Sequence, residues 1–198
     1  ENALNDPNLG RITGTPTTPG TYHSQTYNAY LDVPNDALRS GINSDTATIY
    51  LKLKNVTFDR AQLSIKYNGA IASVAAHAWC PGVSDDSFSE TALDKGWRRA
   101  DLVIVGKDES TQAHAPLTIG DTYDTVFKID FTSTGQEGTV PVSLGSDGST
   151  FLTLTLYNGQ TNVPVAVEKD NSDILPGLSY LTFTDKAIVV YAVDYDTK

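Results

Sequence analysis

The sequence predicts an all-β protein, a two-sheet β-sandwich or jelly roll of about nine to eleven strands with one short helix. Thr, Ser, Gly, Asp, Val and Tyr are plentiful, and long blocks of Leu, Ala, Glu and Lys are absent, which is a β-rich composition. Several segments alternate apolar and polar residues, as half-buried strands do. Turn residues separate these segments at the spacing that is typical of a sandwich.

The clearest strand pattern is TATIYLKLKNVTFDRAQLSIKYNGAIASV, residues 46–74. It alternates over 46–54, turns at 55–60 and alternates again over 61–68. In the last segment two sets of residues are predicted to face opposite sides: Leu63, Ile65 and Tyr67 on one side, and Gln62, Ser64, Lys66 and Asn68 on the other. The spacing predicts two strands, either paired antiparallel or lying in facing sheets, that share one core.

The start of the chain divides into a linker-like segment and the beginning of the sandwich. Residues 1–20 are rich in Asn, Pro, Thr and Gly, which is linker composition, and residues 21–198 are assigned to the sandwich. A first strand is predicted within residues 21–33, ended by Pro34. Residues 70–78 are small and apolar, as in a further strand or a buried loop.

The short helix is predicted within residues 85–96. Ser87 or Ser89 is a candidate N-cap, Glu90 lies in the first turn, and Gly96 follows the end. Further strands are predicted in residues 100–105, 125–132, 138–144, 151–157, 163–167, 180–184 and 187–193.

Turn chemistry adds detail to this arrangement. Asn158-Gly159 is a hairpin signal, which makes residues 163–167 the partner of the preceding strand. Pro141 places its strand at a sheet edge or a bulge. Residues 106–115 and 169–177 are predicted to be polar loops.

Composition limits the classes of partner and compartment. The formal net charge of the 198-residue chain is −10, which disfavours nucleic acid and anionic membranes and leaves a basic protein patch, a neutral glycan or Ca²⁺ open. Cys80 is the only cysteine, so an internal disulfide is excluded, and we expect a buried, inert thiol. Methionine is absent, including at position 1, so we expect a processed or excised fragment. The sequence shows no signal peptide and no apolar run of the roughly 20 residues that span a membrane. The composition favours a bacterial protein that is secreted or on the cell surface.

Catalytic and metal-binding motifs are absent from the sequence. His23, His77 and His114 lie far apart and lack ligand spacing, and no hydrolase, phosphate-binding or zinc signature occurs. Acidic clusters suit Ca²⁺ chemically, but none has EF-hand spacing, and turn-forming Asp explains each. A carboxylate pair for glycoside hydrolysis stays open in a chain this rich in Asp. We therefore expect no enzyme activity and no metal or cofactor in this chain.

The two tryptophans have alternative interpretations. Exposed aromatic rings stack on sugars, so Trp79 or Trp97 with nearby tyrosines would form a carbohydrate platform. Alternatively, both side chains fill the core of the sandwich.

Three stretches resemble the cohesin family, the dockerin-binding modules of cellulosomes. They are SDTATIYLKLKNVTFDRAQLSIKYNGAIASV, RADLVIVGKDES and APLTIGDTYDTVFKIDFTSTGQEGTVPVSL, in the order of the family and over roughly half of the chain. The resemblance departs at Asn68-Gly69, where the family has Asp-Pro. It implies a β-sandwich that docks a dockerin-type partner through polar residues on one sheet face. Calcium, where present, is then expected mainly on the dockerin partner.

Carried over to this chain, the resemblance implies a set of partner-binding residues. These are Arg60, Gln62, Ser64, Lys66 and Asn68 on one strand, and Lys107, Asp108 and Glu109 in a following loop. The assembly would serve polysaccharide degradation, and the net charge predicts that basic residues of the partner steer association. Two alternatives remain: a carbohydrate-binding module, and a self-assembling adhesin or pilin-like subunit whose N-terminal segment pairs with a second copy.

Overall fold

A computed structural model describes residues 27–33, 46–148, 150–168 and 180–183. Within these ranges every regular element is a strand, apart from a single 3-10 turn at Asp94–Gly96, so the predicted all-β class is confirmed. The strands are β1 (Ala29–Asp32), β2 (Thr46–Leu53), β3 (Val56–Phe58), β4 (Arg60–Asn68), β5 (Ala72–Ala78), β6 (Val83–Ala92), β7 (Trp97–Gly106), β8 (Leu117–Ile119), β9 (Asp124–Ser133), β10 (Gly138–Pro141), β11 (Leu144–Gly145), β12 (Leu152–Asn158), β13 (Thr161–Val163), β14 (Val167–Glu168) and β15 (Tyr180–Phe183).

Two main sheets organise these strands. One has five strands in the order β14-β1-β2-β9-β5, and the other has six, in the order β11-β12-β4-β7-β6 with β13 paired to β12. Two smaller ladders join β10 to β15 and β3 to β8. The two alternating strands seen in the sequence, β2 and β4, therefore lie in different sheets and share the core between them. The strand count exceeds the prediction because several strands have only two or three residues.

The core forms where the inward side chains of both sheets meet. On β4, Leu63 and Ile65 are fully buried and Tyr67 is 1% exposed, as their alternation predicts. From the other sheet, Ile49 of β2 and Phe127 of β9 are also fully buried in the same cluster. Burial of such side chains contributes roughly 1.5–3 kcal/mol each, so this core is the main stabilising feature of the sandwich.

The predicted helix within residues 85–96 is wrong. The chain instead forms the ten-residue edge strand β6, followed by the turn Asp94–Gly96. The proposed caps are ladder residues, since Ser87 lies opposite Val103 and Ser89 lies opposite Asp101 of β7. Most residues of β6 are exposed on both faces, so its sequence lacks the apolar alternation of a half-buried strand. Its Ser and Glu residues then match the pattern of a helix N-terminus.

Strand β6 is held to the core near both ends. The Tyr67 hydroxyl donates a hydrogen bond to the Glu90 carboxylate over 2.5 Å. The Asp85 carboxylate accepts one from the backbone N–H of Ala78 over 2.6 Å and lies 2.9 Å from His77 Nδ1. The Tyr67–Glu90 bond lies within one sheet, from β4 to β6, whereas the Asp85 contacts join the β6 edge of that sheet to the β5 edge of the other.

Other predictions have mixed outcomes. The Asn158-Gly159 hairpin is confirmed, with Asn158 opposite Thr161 and Gly159 at a φ of 61°. The single partner strand predicted over 163–167 is wrong, because β13 pairs with β12 whereas β14 pairs with β1 in the other sheet. Predictions for residues 1–20, 21–26, 169–177 and 187–193 lie outside the described residues. Within the described ranges, no helix is long and apolar enough to span a membrane.

Candidate partner-binding face

The outward side chains of β4, β7 and β12 form one continuous surface, called the outer face below. Arg60, Gln62, Ser64, Lys66 and Asn68 alternate with the buried residues of β4 and all lie on it. Directly opposite residues on antiparallel neighbours share a face. The ladder therefore adds the following residues from the two flanking strands: Trp97, Arg99, Asp101 and Val103 on β7, and Thr153, Thr155 and Tyr157 on β12.

The centre of the outer face is tied together by Asp101. Its carboxylate accepts a hydrogen bond from the Ser64 hydroxyl across the β4–β7 ladder. Its second oxygen accepts one from Arg99 Nε over 2.9 Å. The Asp101 side chain is only 17% exposed, whereas that of Arg99 is 49% exposed. The guanidinium is therefore oriented by the carboxylate and still reaches solvent.

Each end of β4 carries a cation that rests on an aromatic ring. The Arg60 guanidinium lies 4.2 Å from the centroid of the Tyr157 ring, and the Lys66 ammonium lies 5.4 Å from that of Trp97. Trp97 itself stacks on Phe151 with centroids 5.9 Å apart. Such cation–π contacts restrict the long side chains and leave the charges accessible. The outer face is thus ordered before any partner arrives.

An open cleft of about 570 Å³ adjoins the Lys66 end of the outer face. Its lining is formed by Lys66 and Trp97 together with the turn that follows β6: Ala92, Leu93, Asp94 and Lys95. The turn reverses sharply, since Lys95 adopts a φ of 58°. The cleft gives the Lys66 end of the outer face a concave part.

Asn68 serves the local backbone. Its side-chain oxygen accepts a hydrogen bond from the backbone N–H of Ala70 over 3.0 Å, and its carbonyl accepts one from Ile71. This is the Asx turn expected where a strand ends. At Gly69 an added Cβ would lie 2.6 Å from Arg98 Cδ, so a larger residue there requires the Arg98 side chain to move.

The predicted loop residues Lys107, Asp108 and Glu109 lie beyond the Arg60 end of the sheet, because Arg60 is opposite Val105 of β7. The structure therefore brings the five β4 residues together and places these three past the end of the strand. Asp108 organises the loop, with its carboxylate accepting hydrogen bonds from the N–H groups of Ser110 and Thr111 and from the Ser110 hydroxyl. These bonds lower its pKa to about 2.

The two tryptophans lie on different sheets. Trp79 follows β5 and is 53% exposed, with Lys128 Nζ 4.7 Å from its ring centroid. Trp97 starts β7 and is half-buried against Phe151. The interpretation that both tryptophans fill the core is therefore wrong.

Cys80 is half-buried and packs against the core, so the expectation of a buried thiol is only partly met. Burial, together with the nearby Asp124 carboxylate, raises the pKa of its thiol to about 11. Such a thiol is a weak nucleophile, in agreement with the expectation that it is inert.

Sequence reasoning missed Arg99, Asp101 and Tyr157 as parts of the surface. The alternation of Arg99, Asp101 and Val103 with Ala100 and Leu102 was a usable signal, but the strand there was interpreted only as an apolar run. Among the described residues, no group of three or more His, Cys, Asp or Glu side chains is arranged to hold a metal ion.

Comparisons with known proteins include a distant structural likeness. No family model matches the chain, and no curated protein matches it. A chain in the crystal structure of the complex of CaDoc0917 with CaCohA2, a cohesin–dockerin complex determined at pH 5.5, is similar over 80% of this chain and 99% of its own length. The sequence identity is 16% and the TM-score is 0.39. At that TM-score the likeness is too distant to support an argument about function.

Proposed function

We propose that this chain is a non-catalytic module that binds a protein partner on the outer face. The observation that carries the proposal is the ordered combination of charged, polar and aromatic side chains around Asp101. Arginine and aromatic residues are enriched at protein interfaces, and restricted side chains lose little entropy on binding. Gln62, between Val103 and Thr155, completes a central patch that is less charged than the two ends.

The finer part of the proposal follows the sequence resemblance. The partner is a dockerin-type module, and the assembly is secreted or on the cell surface and serves polysaccharide degradation. Calcium belongs mainly to the partner, with no cofactor in this chain. Calorimetric titration against a panel of dockerin modules, with and without Ca²⁺, tests it directly. A one-to-one, Ca²⁺-dependent complex supports the proposal, and no binding by any module contradicts it.

Substitution locates the surface. The triple variant Gln62→Ala, Ser64→Ala and Lys66→Ala should weaken a dockerin complex at least tenfold, an order-of-magnitude expectation for loss of central contacts. The matched control changes Thr46 and Ser73 of the other sheet, and Lys54 directly after β2, to Ala. Equal affinity of the outer-face variant and the native chain would remove this face from consideration.

A second candidate function is carbohydrate binding at Trp79, favoured by the 53% exposure of this side chain. Its indole ring has one aromatic face available for CH–π stacking when Lys128 occupies the other. Titration with soluble glucans and xylans, followed by tryptophan fluorescence, tests this function. Trp79→Ala should abolish any response and Trp97→Ala should preserve it. No response in the native chain, or one that survives Trp79→Ala, refutes the site.

A further inference from the structure

We infer that the outer face recognises an acidic protein surface with two carboxylate groups at a fixed separation. This inference rests on the proposed function and specifies the chemistry of the partner. On β4, β7 and β12, the outward residues include three cations, Arg60, Lys66 and Arg99, against the single carboxylate of Asp101. A chain with a net charge of −10 thus presents a locally basic sheet face.

The cations form two separate poles. Lys66 and Arg99 lie directly opposite each other in the ladder and form one pole. Arg60 forms the other, six residues away along β4, which is about 20 Å at the usual rise of a strand. Between the poles lie Gln62 and the hydrogen-bonded pair of Ser64 and Asp101. Two carboxylates about 20 Å apart would match the poles, a separation of roughly 13 residues along a helix.

The cations at both poles are available for a partner. Arg60, Lys66 and Arg99 are all exposed. Among the described residues, no carboxylate lies within ion-pair distance of Arg60 or Lys66, which contact aromatic rings instead. A carboxylate that approaches from solvent therefore displaces no existing ion pair at these two positions.

The charge of the whole chain favours a bounded acidic patch over an extended polyanion. Nucleic acid or a sulfated glycan would continue beyond the two poles, over a molecule with 24 acidic and 14 basic residues, and would be repelled there. A protein partner can restrict its carboxylates to the contact area. Such complementarity selects the partner and fixes its orientation more than it adds affinity.

Synthetic helical peptides test this inference on the full chain. One peptide carries two Glu clusters about 13 residues apart, the helical equivalent of the pole separation, and matched peptides carry Gln or Lys at the same positions. In NMR titrations of the isotope-labelled chain, the Glu peptide should shift the side-chain N–H signals of Arg60 and Arg99 and the β4 amides, and the Gln and Lys peptides should not. Arg60→Glu and Lys66→Glu should each lower affinity by about fivefold, which corresponds to the upper range for one exposed ion pair. Lys54→Glu, directly after β2 of the other sheet, is the control and should leave affinity unchanged.

Several outcomes would overturn the inference. They are no shift with the Glu peptide at millimolar concentration, binding of the Lys peptide to the outer face, or equal affinity of the reversed variants and the native chain. Binding of a heparin oligosaccharide at least as tightly as the Glu peptide would indicate a general anion surface instead. Amide spectra of each variant establish whether it is folded. If Lys66→Glu does not fold, Lys66→Gln is a milder substitution that still removes the charge.

The dockerin panel separates this inference from the proposed function. If the Glu peptide binds the outer face and no dockerin binds, the dockerin assignment fails and the acidic-surface inference stands. If a dockerin binds the outer face through basic residues, the proposed function stands and the inference fails.

Discussion

Replacing Tyr67 with phenylalanine tests whether one buried hydroxyl holds the exposed edge strand to the sandwich. Tyr67 is 1% exposed, and its hydroxyl donates to the Glu90 carboxylate of β6 over 2.5 Å. The same oxygen accepts a longer hydrogen bond of 3.3 Å from Arg98 Nε. Burial, followed by the bond to Glu90, raises the pKa of the hydroxyl, so it remains a donor across the neutral range.

The loss of stability expected for Tyr67→Phe follows from the contacts that the phenylalanine ring keeps and those that the hydroxyl loses. The Tyr67→Phe substitution keeps the aromatic ring in the core, so no large cavity forms. The substitution removes the short bond to the Glu90 carboxylate and the longer, weaker one from Arg98 Nε. Hydrogen bonds to charged groups contribute about 1.5–3 kcal/mol. The Glu90 side chain is 33% exposed and water can replace the hydroxyl, so we expect a loss near the lower limit, about 1–1.5 kcal/mol. Tyr67→Ala also removes the ring and should cost about 3–5 kcal/mol.

Urea denaturation followed by circular dichroism measures both losses, provided that the slope of the transition is unchanged. A double-mutant cycle with Glu90→Ala isolates the interaction between the two side chains. Hydrogen exchange of the β6 amides gives a local readout, because loss of the tether should speed exchange in β6 more than in β4.

A coupling energy near zero in the cycle would refute this reasoning, because the hydroxyl would then contribute nothing through Glu90. Equal losses for Tyr67→Phe and Tyr67→Ala would refute it differently, by showing that the ring adds nothing to the core. Unchanged exchange in β6 would show that its ladder with β7 holds the strand without the tether.

Three further predictions follow from the described contacts. Gly106→Ala should lower the free energy of unfolding by about 1–3 kcal/mol in urea denaturation, because the added Cβ would overlap the Ala115 carbonyl oxygen. Gly120→Ala is the control: its added Cβ has no atom within 4 Å, so stability should change by less than about 1 kcal/mol. Similar losses for both variants would contradict this prediction. The pKa of the Cys80 thiol is raised from 9.0 to about 11, so little thiolate is present at pH 8 and alkylation should be about 100-fold slower than for an ordinary thiol. Unfolding in urea should restore the ordinary alkylation rate. Fast labelling of the folded chain would contradict the raised pKa. The pKa of Asp108 is lowered from 3.8 to about 2, so its contribution to loop order is present above pH 3.8 and lost as the pH falls through about 2. NMR titration of the Asp108 carboxyl carbon measures this pKa. A midpoint near 3.8 would show that the hydrogen bonds of the loop are absent in solution.

The sequence predicted the strands that have one face in the core. Residues 46–54 and 61–68 alternate because β2 and β4 each bury every second residue, and the resulting strands were predicted to within a few residues. The same physical rule explains the failure at β6. Both faces of that edge strand are exposed, so burial imposes no period, and only polar composition remains for the sequence to show.

The composition of the outer face depends on which residues of neighbouring strands lie opposite each other, and the sequence of a single strand does not show this register. Gln62, Ser64 and Lys66 share a face by simple alternation, so their grouping was predictable, although their role in binding stays a prediction. That Ser64 lies opposite Asp101, and Lys66 opposite Arg99, depends on how two strands that are distant in the sequence align. The basic character of the face was therefore not accessible from the sequence.

The net charge of the chain and the local charge of the outer face favour partners of opposite charge. The value of −10 for the chain led to the prediction that basic residues of the partner steer association, whereas the outer face calls for acidic contacts. Both demands hold at different distances. The summed charge acts during approach and is screened by salt over about 8–10 Å, whereas at contact the nearest cations dominate. A partner that carries an acidic patch on an otherwise basic or neutral surface satisfies both.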